Sequence, residues 1–125
     1  MLRRTFLSFA AASAFAASAF AAATTSLADI ESTIASGKPV LIHVTAPWCG
    51  TCKRQKPVVA ELLGKPEFSE LTKIDVDFDS QGDVLSRFRV QTQATMLVFK
   101  DGKEVGREVG VTDREAIAAF FKRAI

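Results

Sequence analysis

Cys49 and Cys52 are the only cysteines of the chain and stand three residues apart in Pro47-Trp48-Cys49-Gly50-Thr51-Cys52-Lys53. Where such a segment opens a helix, the two sulfurs share one helical face and come within disulfide reach without backbone movement. Two thiols so placed make an exchange device. Cys49, read as the more exposed sulfur, attacks or is attacked to give a mixed disulfide with another protein, and Cys52 then displaces that partner. Location sets the reactivity. Val40-Leu41-Ile42-His43-Val44, after Pro39, is a short β-branched apolar run of the kind that forms a strand buried on both faces. A helix is expected to follow it, so Cys49 stands at a helix N-terminus, where unpaired N–H groups and the helix dipole favour thiolate over thiol. At an unperturbed pKa of ~8.5 only about 3% of a thiol is ionised at pH 7, whereas a pKa near ~7 makes it half ionised. That shift corresponds to roughly 2 kcal/mol.

Two other uses of a Cys-x-x-Cys pair stay open on these residues, a structural staple and half of a metal site. Closing a loop of two intervening residues removes little entropy from the unfolded chain, which weakens the staple. Two cysteines and the single histidine, His43, cannot supply the four ligands of a structural zinc site within one chain.

The elements that must position the pair are legible as hydrophobic periodicities. Leu27, Ile30 and Ile34 recur at helical spacing and stop at Gly37. The segment from Gly50 to Leu63 reads as a helix with Val59, Leu62 and Leu63 on one side, closing at Gly64 and kinked at Pro57. Leu71 to Asp77 suits a second strand, and Asp83 to Phe88 a short helix. Thr95-Met96-Leu97-Val98-Phe99 and Glu104-Val105 flank Lys100-Asp101-Gly102-Lys103, where Asp-Gly supplies the positive φ angles of a tight hairpin. Thr112-Asp113-Arg114-Glu115 reads as a capping box, followed by Ile117, Phe120, Phe121 and Ala124 at helical offsets. The order α-β-α-β-α-β-β-α predicts an α/β fold, a mixed central sheet of about four strands flanked by helices.

Residues 1–23 are different material. Met1 to Arg4 is a short basic start, and Phe6 to Ala23 carries no charge and consists of Ala, Phe, Ser and one Leu, which is a secretion signal in form. Cleavage is expected near Ala21 or Ala23, leaving one domain over residues 24–125. The competing reading is an uncleaved anchor, disfavoured by the alanine and serine content and by the missing aromatic and basic belt. Arg3-Arg4-Thr5-Phe6-Leu7 resembles a twin-arginine export signal in part, so both that route and the general secretory one remain. Either leads outward, to a bacterial periplasm where cysteine pairs can be oxidised. Arg3 and Arg4 also account for the whole formal charge of +2. Residues 24–125 therefore carry no net charge, and nothing favours a nucleic-acid groove. A hydrophobic content of 48% excludes a disordered tail.

Over nearly all of Ser26 to Ile125 the sequence resembles the thioredoxin family. Trp48-Cys49-Gly50-Thr51-Cys52-Lys53 is similar to that family's Trp-Cys-Gly-Pro-Cys-Lys, Pro57 matches its helix-kinking proline, Thr95 to Gly102 its hairpin, and Gly110 the glycine before its last helix. The resemblance implies a thioredoxin-like fold whose leading β-strand is short or absent. It implies a thiol-disulfide oxidoreductase, with Cys49 as nucleophile and Cys52 as resolving residue, and with the cysteine pair itself as the only redox group. By the same likeness Trp48, Gly50, Thr51, Ala94 and Thr95 are the substrate-binding positions.

Three departures follow. Thr51 replaces the proline between the cysteines, a dipeptide that sets the redox potential in that family. His43 stands where thioredoxins place a buried aspartate that relays a proton for the second cysteine, and Lys73 matches the lysine accompanying it. A neutral imidazole could serve as base for Cys52, with Lys73 disfavouring its charged form; the alternative is a hydrogen-bonded core histidine. Ala94 takes the place of the family's cis-proline. A cis bond before a non-proline residue costs about 2.5–4 kcal/mol, so Gln93-Ala94 is expected to be trans and the substrate-pairing edge reshaped.

The reading these residues support is an exported oxidoreductase, monomeric and outside the membrane once mature, acting on disulfides or dithiols of other exported proteins or of a redox partner. A reductive role would need electrons from a separate membrane protein. The alternatives are a module holding a metal or iron-sulfur cluster on the same cysteines, and an adaptor that keeps the fold without the chemistry.

Overall fold

The structure, a computed structural model, describes residues 24–125. The signal-peptide and export readings of residues 1–23 lie outside the described residues. In chain order the elements are α1 (Leu27–Ala35), β1 (Val40–Thr45), α2 (Gly50–Leu63), a 3-10 turn (Pro66–Phe68), β2 (Thr72–Asp77), α3 (Gly82–Phe88), β3 (Thr95–Lys100), β4 (Lys103–Val109) and α4 (Arg114–Lys122). This is the expected order. The four strands form one sheet in the order β2-β1-β3-β4, with β1 parallel to β2 and antiparallel to β3, and β3 antiparallel to β4. Among the described residues no strand precedes α1, and β2 is left as a sheet edge, where charged Lys73 and Asp75 discourage pairing with another chain.

Strand β1 explains the layering. Its residues alternate between two apolar layers, as the period of a strand requires. Val40, Ile42 and Val44 pack with Ile30 and Ile34 of α1 and with Val84 and Phe88 of α3. Leu41 points the other way, into a layer built with Val59 and Leu62 of α2 and Ile117, Phe120 and Phe121 of α4. The two central strands, β1 and β3, are thus covered on both sides. Four residues separate the end of β1 from α2, which places Cys49 just past the C-terminal end of an inner strand.

Two features differ from the sequence expectations. β4 runs over Lys103–Val109 rather than Glu104-Val105, because an edge strand rich in charge has no apolar alternation to announce it. Its Gly106 faces α4: a Cβ there would lie 2.9 Å from Phe120 Cε2. The cap of α4 is Asp113, whose carboxylate accepts the Ala116 N–H at 2.9 Å, and not Thr112. Asp serves as well as Thr at such a position, so the box slides by one residue. The hairpin is as expected, with Asp101 at φ 53° and Gly102 at φ 80°, the two left-handed residues of a type I′ turn.

Candidate active site

Cys49 caps the N-terminus of α2 from extended backbone, φ −84° and ψ 106°. Its sulfur accepts the Cys52 N–H at 3.0 Å and its carbonyl accepts the Lys53 N–H at 3.2 Å. The two cysteines form a disulfide, with Cα atoms 5.3 Å apart. Cys49 is 2% and Cys52 0% exposed. The open sulfur expected at Cys49 is therefore an edge of contact rather than a surface, because in the oxidised form both sulfurs pack in a small apolar cluster with Ala46 and Ala94, which Phe78 flanks. The accessible surface beside them belongs to Trp48, which is 59% exposed, and to Gly50. The Trp48 ring meets Phe78 edge-on at 6.3 Å, and its Nε1–H donates to both carboxylate oxygens of Asp79, at 3.1 and 2.9 Å.

Below the disulfide lies Ala94. No peptide bond among the described residues is cis, so Gln93-Ala94 is trans, as its residue type requires, and Ala94 takes the left-handed conformation at φ 62°. Its backbone is fully committed. The N–H donates to Val44 O at 2.8 Å, and the carbonyl accepts from Gly110 N at 2.9 Å and from Gln55 Nε2 at 3.1 Å. The side chains of Ala94 and Thr95 are buried, and the Thr95 hydroxyl donates to Thr92 O at 2.8 Å. Of the five expected substrate-binding positions, Trp48, Gly50 and Thr51 reach the surface, and Ala94 and Thr95 form the floor.

His43 shares the α2-facing side of β1 with Leu41 and is 1% exposed. Its Nε2 is 2.8 Å from Gln55 Oε1. Burial holds its pKa below the ordinary 6.5; the Gln55 hydrogen bond and Asp75 oppose that shift, and Lys73 and Lys56 add to it. Lys73 stands apart from the pair: it is the register partner of Leu41, at the surface, in an ion pair with Asp75 at 3.2 Å. Its effect on His43 is opposed, and outweighed, by that of the carboxylate it holds. Sequence reasoning missed Gln55 and Asp79. Gln55 had a signal, a polar residue three positions after Cys52 on the inner face of α2, whereas Asp79 comes from a loop with no local pattern. Among the described residues no group of three His, Cys, Asp or Glu side chains could hold a metal ion, and the disulfide occupies both cysteines.

A buried strand that delivers a Cys-x-x-Cys disulfide to a helix N-terminus, with the left-handed Ala94 packed against it, is a dithiol/disulfide exchange site. The family model for thioredoxin matches residues 21–123. The chain belongs to the thioredoxin family. Curated thioredoxins agree with it over most of their length: that of Mycolicibacterium smegmatis is 38% identical over 93 residues, 74% of this chain and 83% of the relative. That of Chlamydia trachomatis is 39% identical over 90 residues, 72% and 85%. Among solved structures, Trxlp from Edwardsiella tarda superposes with a TM-score of 0.75 at 38% identity, covering 78% of this chain and 95% of that one. As a thioredoxin-family protein it is a protein-disulfide oxidoreductase whose redox group is its own cysteine pair.

Proposed function

We propose that this thioredoxin-family protein works outside the cytoplasm, in a periplasm, exchanging disulfides with exported proteins or with a membrane-bound electron donor. The reading rests on Arg3-Arg4 followed by the uncharged run Phe6 to Ala23, the form of an export signal. In the reducing direction the Cys49 thiolate attacks a substrate disulfide, forming one S–S bond and releasing one substrate thiolate. Cys52 then attacks Cys49 Sγ, closes the internal disulfide and releases the second thiolate, so two electrons pass to the substrate. The Cys52 proton goes to neutral His43. The observation that carries the division of labour is the N-cap geometry: Cys49 Sγ accepts the Cys52 N–H at 3.0 Å, a donor that stabilises an anion at Cys49.

The test is trapping in the cell. A Cys52→Ser chain should accumulate mixed disulfides with exported proteins, recovered from the periplasmic fraction and absent in Cys49→Ser. Adducts confined to cytoplasmic proteins would overturn the compartment, and equal trapping by both variants would overturn the assignment of roles.

A further inference from the structure

Gln55 is fully buried among apolar side chains, yet every polar atom of its carboxamide is engaged. Nε2 donates to Ala94 O at 3.1 Å and to Val111 O at 2.9 Å, and Oε1 faces His43 Nε2 at 2.8 Å. An amide nitrogen carries two hydrogens and a peptide carbonyl only accepts, so the two carbonyls take both hydrogens and fix which way the amide points. The flipped amide would set its oxygen against two carbonyl oxygens. Oε1 can then only accept, which requires that His43 Nε2 carry a hydrogen. In the neutral ring the lone pair is left on Nδ1.

The place of this amide gives it a role. Cys52 and Gln55 are one turn apart on the inner side of α2, and the Val44 carbonyl, next along the strand from His43, lies 4.0 Å from Cys52 Sγ. We propose that Gln55 is a positioning residue for the resolving step: it locks His43 in the Nε2–H tautomer and fastens that ring to the Ala94 and Val111 loops, so that Nδ1 receives the Cys52 proton. This rests on the reading of His43 as the base given above. The balance is simple. The Cys52 S–H bond breaks, its proton passes to Nδ1, and the thiolate bonds to Cys49 Sγ as the partner's sulfur leaves with the electron pair. The imidazolium then returns its proton to the departing thiolate or to water. The charged groups facing the ring are Asp75 and Lys73 of β2 and Lys56 of α2; none hydrogen-bonds to it, which leaves the tautomer to Gln55.

His43 is the only histidine, so its ring nitrogens can be followed without ambiguity in 15N-labelled reduced protein. The wild type should show Nε2 protonated and Nδ1 bare above the His43 pKa. A wild-type Nδ1–H ring overturns the proposal whatever any variant does. The kinetic arm mixes reduced protein with a chromogenic dinitrobenzoate disulfide, whose first thiolate reports attack by Cys49 and whose second reports resolution by Cys52. In Gln55→Met the first phase should be unchanged, and the second should slow by about fivefold, the worth of one hydrogen bond. The midpoint of its pH profile should move to lower pH, because that bond raises the His43 pKa. A second phase and midpoint identical to wild type would overturn the role of Gln55 alone. Absence of the first phase in the wild type would instead overturn the oxidoreductase reading.

Discussion

The backbone nitrogen of Cys52 points at the sulfur of Cys49 from 3.0 Å. The donor belongs to the first turn of α2 and has no carbonyl partner within the helix, so reduction of the disulfide leaves it aimed at whatever charge Cys49 carries. Cys52, further into the helix and 0% exposed, has the Val44 carbonyl 4.0 Å from its sulfur. An acceptor does nothing to stabilise an anion. The two sulfurs are therefore unequal by construction, one with a helix-end N–H aimed at it and the other beside a carbonyl.

The indole of Trp48 is held by Asp79 across the mouth of the site. Asp79→Ala should release the ring and raise KM for protein disulfides by about fivefold, the worth of one hydrogen bond, while kcat and thermal stability stay close to wild type. Steady-state reduction of a protein disulfide checks this, and an unchanged KM would show that the Trp48 orientation is immaterial to docking.

His43 makes stability depend on pH. Burial lowers its pKa in the folded protein, so the unfolded chain binds more protons. The contribution is complete above the ordinary value of 6.5 and is lost as pH falls from there through the folded value. Denaturant melts of oxidised wild type should lose up to about 1.4 kcal/mol per pH unit in that window relative to His43→Gln, whose amide N–H can take the place of His43 Nε2 opposite Gln55 and which does not titrate. Parallel curves would contradict the assignment of a neutral buried ring.

Ala94 sits at φ 62° with its side chain buried against the disulfide. Ala94→Val brings a β-branched residue to a left-handed position without room for it, and the cost should be about 2–4 kcal/mol in chemical denaturation. A loss under about 1 kcal/mol, within the ordinary range of a tolerated substitution, would mean that the loop relaxes readily.

Gly106 is fixed by contact rather than conformation. Gly106→Ala places a methyl 2.9 Å from Phe120 Cε2 and 3.2 Å from the Arg123 side chain. The ring is buried and cannot step aside, so a destabilisation of about 1–3 kcal/mol is expected, with the redox site unaffected. Unaltered melting would show that α4 shifts freely on the sheet.

What could be read from the sequence divides by the range of the interactions. β1 and β3 announce themselves because both faces are buried and nearly every residue is apolar, and α4 because its inner stripe repeats at helical spacing. The cysteine pair was legible from spacing and from the strand before it. β4 was legible only at its start, since an exposed edge carries Lys103, Glu104, Arg107 and Glu108 wherever water permits. The tie between His43 and Gln55 joins strand to helix, and the Trp48–Asp79 bond spans 31 residues. Pairings of that kind depend on the finished fold, which no local pattern records. Ala94 was marked by its residue type as a departure, but its left-handed backbone, with the N–H given to Val44, follows from the packing beneath the disulfide.

The acidity of Cys49 is the claim on which the rest stands, and it is measured most directly by the rate of alkylation of reduced Cys52→Ser protein as a function of pH. A midpoint near or below ~7 is expected, more than one unit under an ordinary cysteine. A midpoint at ~8.5 or above would contradict it.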